Sequence, residues 1–261
     1  MPNLAANLSW IYQEVPFLQR FGAAAAHGFK AVEILFPYEA PAVEIAAELK
    51  KHKLTQALFN LPPGDWSKGE RGLAALPGRE AEFAAALEKA LDYAKVLECR
   101  TLHVMSGMIA PGADTKAMHR TFVSNLKKVC DRTAKSGLTI VLEPINHRDI
   151  PGYFTNTTDQ VKQIIDEVGA PHLKLQLDLY HMQVTEGDLQ KRTERLFPIT
   201  AHVQIAGNPD RNEPDIGEVN HLYLLDVLDR LGYQGYVGLE YKPKTTTGAG
   251  LGWAAKYGIK A

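Results

Sequence analysis

A chain of 261 residues with 45% hydrophobic and 23% charged residues has globular composition and can bury a core unaided, which excludes disordered, fibrous and peptide-sized scaffolds. Its 29 basic and 30 acidic residues leave a formal charge of −1, so neither nucleic acid nor a membrane surface is an expected partner. The cysteines, Cys99 and Cys130, are too few for a disulfide framework; with the first basic residue at Arg20 and no run of about 18 apolar residues, a cytoplasmic protein is expected.

Short apolar and β-branched runs, each closed by a polar or turn residue, predict eight strands: Leu4–Trp10, Ala31–Pro37, Leu54–Leu61, Thr101–Gly107, Thr139–Ile145, Leu173–His181, Thr200–Gly207 and Tyr236–Pro243. Helical spacing lies between them over Pro16–His27, Ala42–His52, Gly78–Leu97, Lys116–Ser136, Thr158–Val168 and Val219–Leu231. Gly28, Gly137, Gly169 and Gly232 follow helical stretches, where a left-handed residue closes a helix best. Strand and helix units at a step of about 33 residues predict an α/β protein, a single (β/α)8 TIM barrel spanning residues 1–261 as one domain. The alternative is a doubly wound open sheet. Asn7-Leu8-Ser9-Trp10 after the first strand is not the Gly-rich turn usual in such a sheet, and no nucleotide cofactor is expected. Two Gly-, Pro- and Asp-rich loops, Pro62–Pro77 and Ala206–Gly217, would lie at the C-terminal face, where barrel sites are built.

Buried parallel strands should be almost wholly apolar, so four polar residues near strand ends need a reason: Glu143, Asp178, Gln204 and Glu240, on strands five to eight. Barrel closure would turn all four towards the axis. Three converging carboxylates repel unless a cation joins them, and three carboxylates with an amide suit a divalent ion such as Mg²⁺ or Mn²⁺ better than zinc. Each acid also has a plainer reading: Glu240 paired with Lys242, Glu143 facing a loop, Asp178 capping the segment after it. Their coincidence on four successive strands favours the site.

The segments Asn7-Leu8-Ser9, Phe36-Pro37-Tyr38, Asn60-Leu61-Pro62-Pro63-Gly64-Asp65-Trp66, Leu76-Pro77-Gly78-Arg79-Glu80, Glu143-Pro144-Ile145-Asn146-His147, Tyr180-His181-Met182-Gln183, Gln204–Pro214 and Glu240-Tyr241-Lys242-Pro243 closely resemble the hydroxypyruvate isomerase family. That family belongs to the xylose-isomerase-like barrels, with the ketose 3-epimerases and endonuclease IV-type repair enzymes. The resemblance covers essentially the whole chain. It implies an isomerase in which Glu143 and Glu240 are proton donor and acceptor and Glu143, Asp178, Gln204 and Glu240 hold a metal. In the epimerases a His usually stands where Gln204 stands here.

The implied reaction interconverts hydroxypyruvate and tartronate semialdehyde through a cis-enediolate, with one carboxylate removing a proton and an acid returning it. The partner is then a small hydroxy or oxo acid. Arg211 could bind its carboxylate bidentately or pair with Asp210 or Glu213. His181 could bind a substrate oxygen or be a rim His satisfied by backbone, and Asp149 could orient a hydroxyl or His181, or shape the turn before Pro151. Asn7, Asn60 and His103, near strand ends, are further lining candidates; Trp66 and Tyr38 read as pocket walls or packing, and Lys242 as an enolate neutraliser or surface ion.

Rival readings are an isomerase of the four-carbon acid 2-dehydrotetronate (2-oxo-tetronate), a ketose 3-epimerase, and a non-catalytic sugar-acid binding protein. The balanced charge speaks against a DNA-cleaving relative. The oligomeric state is open, and a homo-oligomer is compatible with it.

Overall fold

The structure is a computed structural model describing residues 1–261. All eight expected strands form: β1 (Asn3–Asn7), β2 (Ala31–Ile34), β3 (Thr55–Asn60), β4 (Thr101–His103), β5 (Thr139–Leu142), β6 (Leu173–Asp178), β7 (Thr200–Ile205) and β8 (Tyr236–Leu239). They pair in parallel and in chain order, and β8 returns to β1 to close a barrel without edges. Ala5 lies opposite both Ala31 and Gly238 across that seam.

The helices are α1 (Phe17–Ala26), α2 (Ala42–His52), α3 (Glu80–Leu97), α4 (Thr115–Thr133), α5 (Thr158–Val168), α6 (Leu179–Thr185), α7 (Leu189–Leu196) and α8 (His221–Arg230). The six expected helical stretches are present. α6 and α7, at seven and eight residues, are too short for apolar periodicity to reveal. Every strand stops one to four residues earlier than its apolar run suggests, strand six at Asp178. Asp178 Oδ1 accepts from the amides of Tyr180 at 2.7 Å and His181 at 3.2 Å, so Asp178 ends β6 and caps α6. After β8 the chain makes 3-10 turns, Gly248–Gly250 and Gly252–Tyr257, and no α-helix follows that strand. Gly169 closes α5 in the left-handed region, at φ +72°.

Side-chain alternation along each strand decides what the barrel contains. Leu173, Leu175 and Leu177 of β6, Val203 and Ile205 of β7 and Val237 and Leu239 of β8 join the large core between sheet and helices. Their neighbours Gln176, Asp178, His202, Gln204 and Gly238 take the opposite face, into the barrel. A separate small layer is formed by Ala5, Ala31 and Ala57, with Tyr236 packed against it. Cys99 and Cys130 are buried free thiols, and no helix is long and apolar enough to cross a membrane.

Candidate active site

Above the alanine layer the interior is polar. Glu33, on β2 and fully buried, accepts from Asn7 Nδ2 at 2.8 Å and Gln204 Nε2 at 2.8 Å and lies 2.7 Å from His202 Nε2. Gln204 Nε2 also donates to Glu240 Oε2 at 2.5 Å, which links this layer to the site above. Gly238 makes the room: a Cβ there would lie 2.2 Å from a Glu33 carboxyl oxygen. Gly238→Ala is therefore expected to destabilise the fold by about 1–3 kcal/mol in a denaturant titration, through overpacking against Glu33.

The cavity at the C-terminal ends of the strands has a volume of about 370 Å³ and is lined by Glu143, Glu240, His181, Asp149, Asn60 and Arg211 together with Trp10, Trp66, Arg71, Ile145 and Ile150. Glu143 and Glu240 directly follow β5 and β8, continuing the inward phase of each strand. Asp178, at the end of β6, lies with Glu143 and His181 in a group whose ligand atoms are all within 4.8 Å of one another. Glu143 Oε1 and Asp178 Oδ2 are buried and have no hydrogen-bond partner.

Burial, reinforced by the charges of Glu240 and Asp178, holds the Glu143 carboxyl well above the ordinary carboxylate range. Burial also pushes Glu240 up to about 8, against the opposing pull of Arg211, and raises Asp178. Arg211 is the counter-charge. Its Nη2 donates to Glu240 Oε1 at 2.7 Å and its Nη1 to Asp149 Oδ2 at 3.1 Å, while its guanidinium carbon sits 4.4 Å from the Trp10 ring and 4.8 Å from that of Tyr180. It pairs with neither Asp210 nor Glu213. Its fork is already held by the protein's own acids.

His181 is neutral, because burial drives its pKa well down and the charges of Arg211 and Arg148 push the same way. Asn146 Oδ1 accepts from the Asp149 amide at 2.8 Å, which turns Asn146 Nδ2 to His181 Nδ1 at 2.6 Å. Nδ1 is thus the acceptor, and the ring proton sits on Nε2, 3.9 Å from Glu143 Oε1 and 3.8 Å from Asp178 Oδ2. His181 faces the cavity as a donor.

Several expected positions differ. The Gln204 amide oxygen accepts from Gln176 Nε2 at 2.5 Å, because its NH₂ is drawn to the Glu33 and Glu240 carboxyls; the oxygen is turned away from the acid cluster. Asn7 lies beneath the cavity, bound to Glu33 and to the Ser9 amide, and does not line it. His103 is buried behind Asn60, with Nδ1 3.2 Å from Asn60 Oδ1, and burial lowers its pKa to about 3. Tyr38 donates to the Asn60 carbonyl at 2.7 Å and packs on Phe59 and Tyr93, a structural wall. Lys242 is exposed and forms no ion pair; Glu240 pairs with Arg211 instead. Asp149 accepts from Arg211 and Tyr180 rather than orienting His181.

Glu33, Trp10 and Arg71 were not anticipated. The signal for Glu33 was the one that marked Glu143, a carboxyl inside an apolar parallel strand, here Ala-Val-Glu-Ile. Trp10 and Arg71 lie in loops, where no periodicity marks direction.

The two orphaned oxygens, of Glu143 and Asp178, in one group with His181, are donors that fit a divalent cation; Glu240 lines the same cavity with its two oxygens engaged by Arg211 and Gln204.

Residues 21–257 match the family model of the xylose isomerase-like TIM barrel. A 2-oxo-tetronate isomerase of Cupriavidus necator is 52% identical over 98% of this chain and 99% of its own, and a hydroxypyruvate isomerase of Escherichia coli is 43% identical over 98% and 100%. A solved structure named AP endonuclease, family 2, from Brucella melitensis superposes with a TM-score of 0.97 at 50% identity, covering 98% of this chain and 99% of its own. A D-psicose 3-epimerase of Clostridium cellulolyticum, at TM-score 0.77 and 18% identity over 93% and 85% of the two chains, shares the fold.

Proposed function

The chain belongs to the xylose isomerase-like TIM barrel family, and we propose from that premise that it is an aldose–ketose isomerase of short hydroxy-oxo acids, interconverting hydroxypyruvate and tartronate semialdehyde. The observation that carries this reading is the pair of buried glutamates, Glu143 and Glu240, set on one small cavity, with burial raising both carboxyls and pushing Glu240 up to about 8. A carboxyl poised near the working pH both accepts and donates a proton.

In the forward direction one glutamate removes a proton from C3 of hydroxypyruvate. The resulting enediolate receives a proton at C2 from the other, and the hydroxyl proton passes from O3 to O2. Glu143, with Oε1 unpartnered, is the freer carboxyl; Glu240 is oriented by Arg211 on one oxygen and Gln204 on the other. His181 Nε2–H and Asn60 are placed to hydrogen-bond substrate oxygens, and Trp10, Ile145 and Ile150 limit water around them. Glu143, Asp178 and Glu240 would hold a divalent ion such as Mg²⁺ or Mn²⁺, with Gln204 as fourth donor when its amide turns end for end. When bound, that ion would polarise the substrate's carbonyl and hydroxyl and offset the charge of the enediolate.

A second reading, the four-carbon acid 2-oxo-tetronate, is favoured by the 52% identity to an isomerase of that name and by a cavity of about 370 Å³. Both acids share the chemistry above. A DNA substrate would need a basic rim, and 29 basic against 30 acidic residues supply no excess for one.

The test is incubation of metal-replenished protein with each acid in D₂O, followed by NMR. Formation of tartronate semialdehyde, with deuterium entering at the transferring carbon, is expected. Conversion of 2-oxo-tetronate without hydroxypyruvate establishes the second reading, and conversion of neither overturns both.

A further inference from the structure

Two cations line the cavity, Arg211 and Arg71, and they differ in what already holds them. Arg211 is neutralised by Glu240 and Asp149. Arg71 has no carboxylate within 4 Å: its only hydrogen bonds run from Nη1 to the carbonyls of Trp66 at 3.1 Å and Glu70 at 2.7 Å. The adjacent Glu70 side chain is drawn elsewhere, to Arg79 and to the Asp65 amide at 2.5 Å. Burial accordingly lowers the Arg71 pKa with no anion opposing it.

The Arg71 guanidinium lies 3.5 Å from the centre of the Trp66 ring, which fixes its plane and leaves Nε and Nη2 without partners. Those two N–H groups form one edge of the planar fork, the geometry that grips a carboxylate with two parallel hydrogen bonds. Its backbone is anchored too. Gly72 pairs with Ser106 in an antiparallel bridge, its amide donates to the Pro63 carbonyl at 2.8 Å, and a Cβ on it would lie 2.3 Å from the Met105 carbonyl. With φ at +115°, only glycine fits there, so the loop seats tightly on the segment after β4. The rest of the site is acidic: Glu143, Asp178, Glu240 and Asp149 face one engaged Arg211. An anionic substrate entering that field needs an uncompensated cation.

We propose that Arg71 is the receptor for the substrate's carboxylate and selects acids over neutral ketoses of the same length. The ligand class rests on the isomerase reading; the free fork does not. The chemistry recognised is a carboxylate next to the reacting carbonyl, with the Trp66 ring holding the receptor in plane.

The probe is D-glycerate, a three-carbon hydroxy acid with no carbonyl to isomerise, titrated calorimetrically into metal-replenished wild type, Arg71→Met and Arg71→Lys. Steady-state kinetics with hydroxypyruvate and with neutral hydroxyacetone accompany it. Arg71→Met is expected to weaken glycerate binding and raise KM for hydroxypyruvate by about 10- to 100-fold, the range for losing a charged hydrogen-bonded pair, with kcat changed less than about threefold. Arg71→Lys, which keeps the charge and loses the fork, should weaken glycerate binding by more than about threefold but less than Arg71→Met, and in both variants the preference for hydroxypyruvate over hydroxyacetone, as the ratio of their kcat/KM values, should fall. Glycerate affinity within about threefold of wild type in a folded Arg71→Met or Arg71→Lys protein overturns the proposal, as does wild type that fails to bind glycerate. Wild type that binds glycerate through Arg71 yet turns over neither acid overturns the isomerase reading and upholds the receptor.

Discussion

Replacing Glu240 by Gln is expected to lower kcat by about 10²- to 10⁴-fold with little change in affinity for the acid, the usual worth of a positioned proton-transfer group. The substitution keeps the size of the side chain, and its amide oxygen can still accept from Arg211 Nη2, which now lies 2.7 Å from Glu240 Oε1. What it removes is the ability to take up and release a proton. Glu143→Gln should cost as much, since Glu143 faces the same cavity with Oε1 unpartnered. The two variants should nonetheless differ in D₂O. The one that still exchanges deuterium into C3 of hydroxypyruvate while making no product retains the glutamate that works at C3, and the other has lost it. A sugar-acid binding protein with no chemistry would give unaltered ligand affinity and no turnover in wild type to lose. Turnover in both variants at wild-type rates would remove the glutamates from the mechanism.

The second large effect has opposite signs with and without metal. Asp178 is raised by burial, so its charged form is disfavoured in the folded chain even with Arg211 pulling it back. Asp178→Asn is expected to abolish turnover, yet to stabilise the metal-free fold, because Asn Oδ1 can keep the α6 cap while one buried negative charge disappears. Wild type should gain about 2.7 kcal/mol when Mg²⁺ or Mn²⁺ is supplied at about 100 times its Kd, and Asp178→Asn should gain far less. Differential scanning calorimetry with and without chelator measures both. Metal-free wild type should also lose stability as pH rises from the ordinary carboxylate range to about 8, since Glu240, pushed up to about 8, holds its proton in the fold across that window after the unfolded chain has released it. Added metal should flatten that slope. A melting temperature indifferent to metal, with turnover surviving chelation, would exclude a divalent ion from the site.

What the amino-acid sequence determined by itself is local and periodic. Alternation along a strand depends only on the backbone, so Leu173, Leu175 and Leu177 facing outward commit Gln176 and Asp178 to the interior, and the same phase places Glu143, Gln204 and Glu240. Eight such strands in parallel order, with helices between, followed from turn glycines and spacing, and the barrel and its strand-end acids were legible from these alone. Which partner each polar group takes was not. Glu33 meets His202 only because the closed barrel brings β2 and β7 together across its interior, and the Gln204 amide turns from the cluster because two carboxyls compete for its NH₂. Arg211 and Arg71 look alike as loop arginines. Tertiary structure surrounds one with Glu240 and Asp149 and diverts Glu70 from the other to Arg79, so one is an internal counter-ion and the other a free fork. Hydrogen bonds and ion pairs are decided by distances of a few ångströms between residues far apart in the chain, and those distances exist only once the barrel has closed.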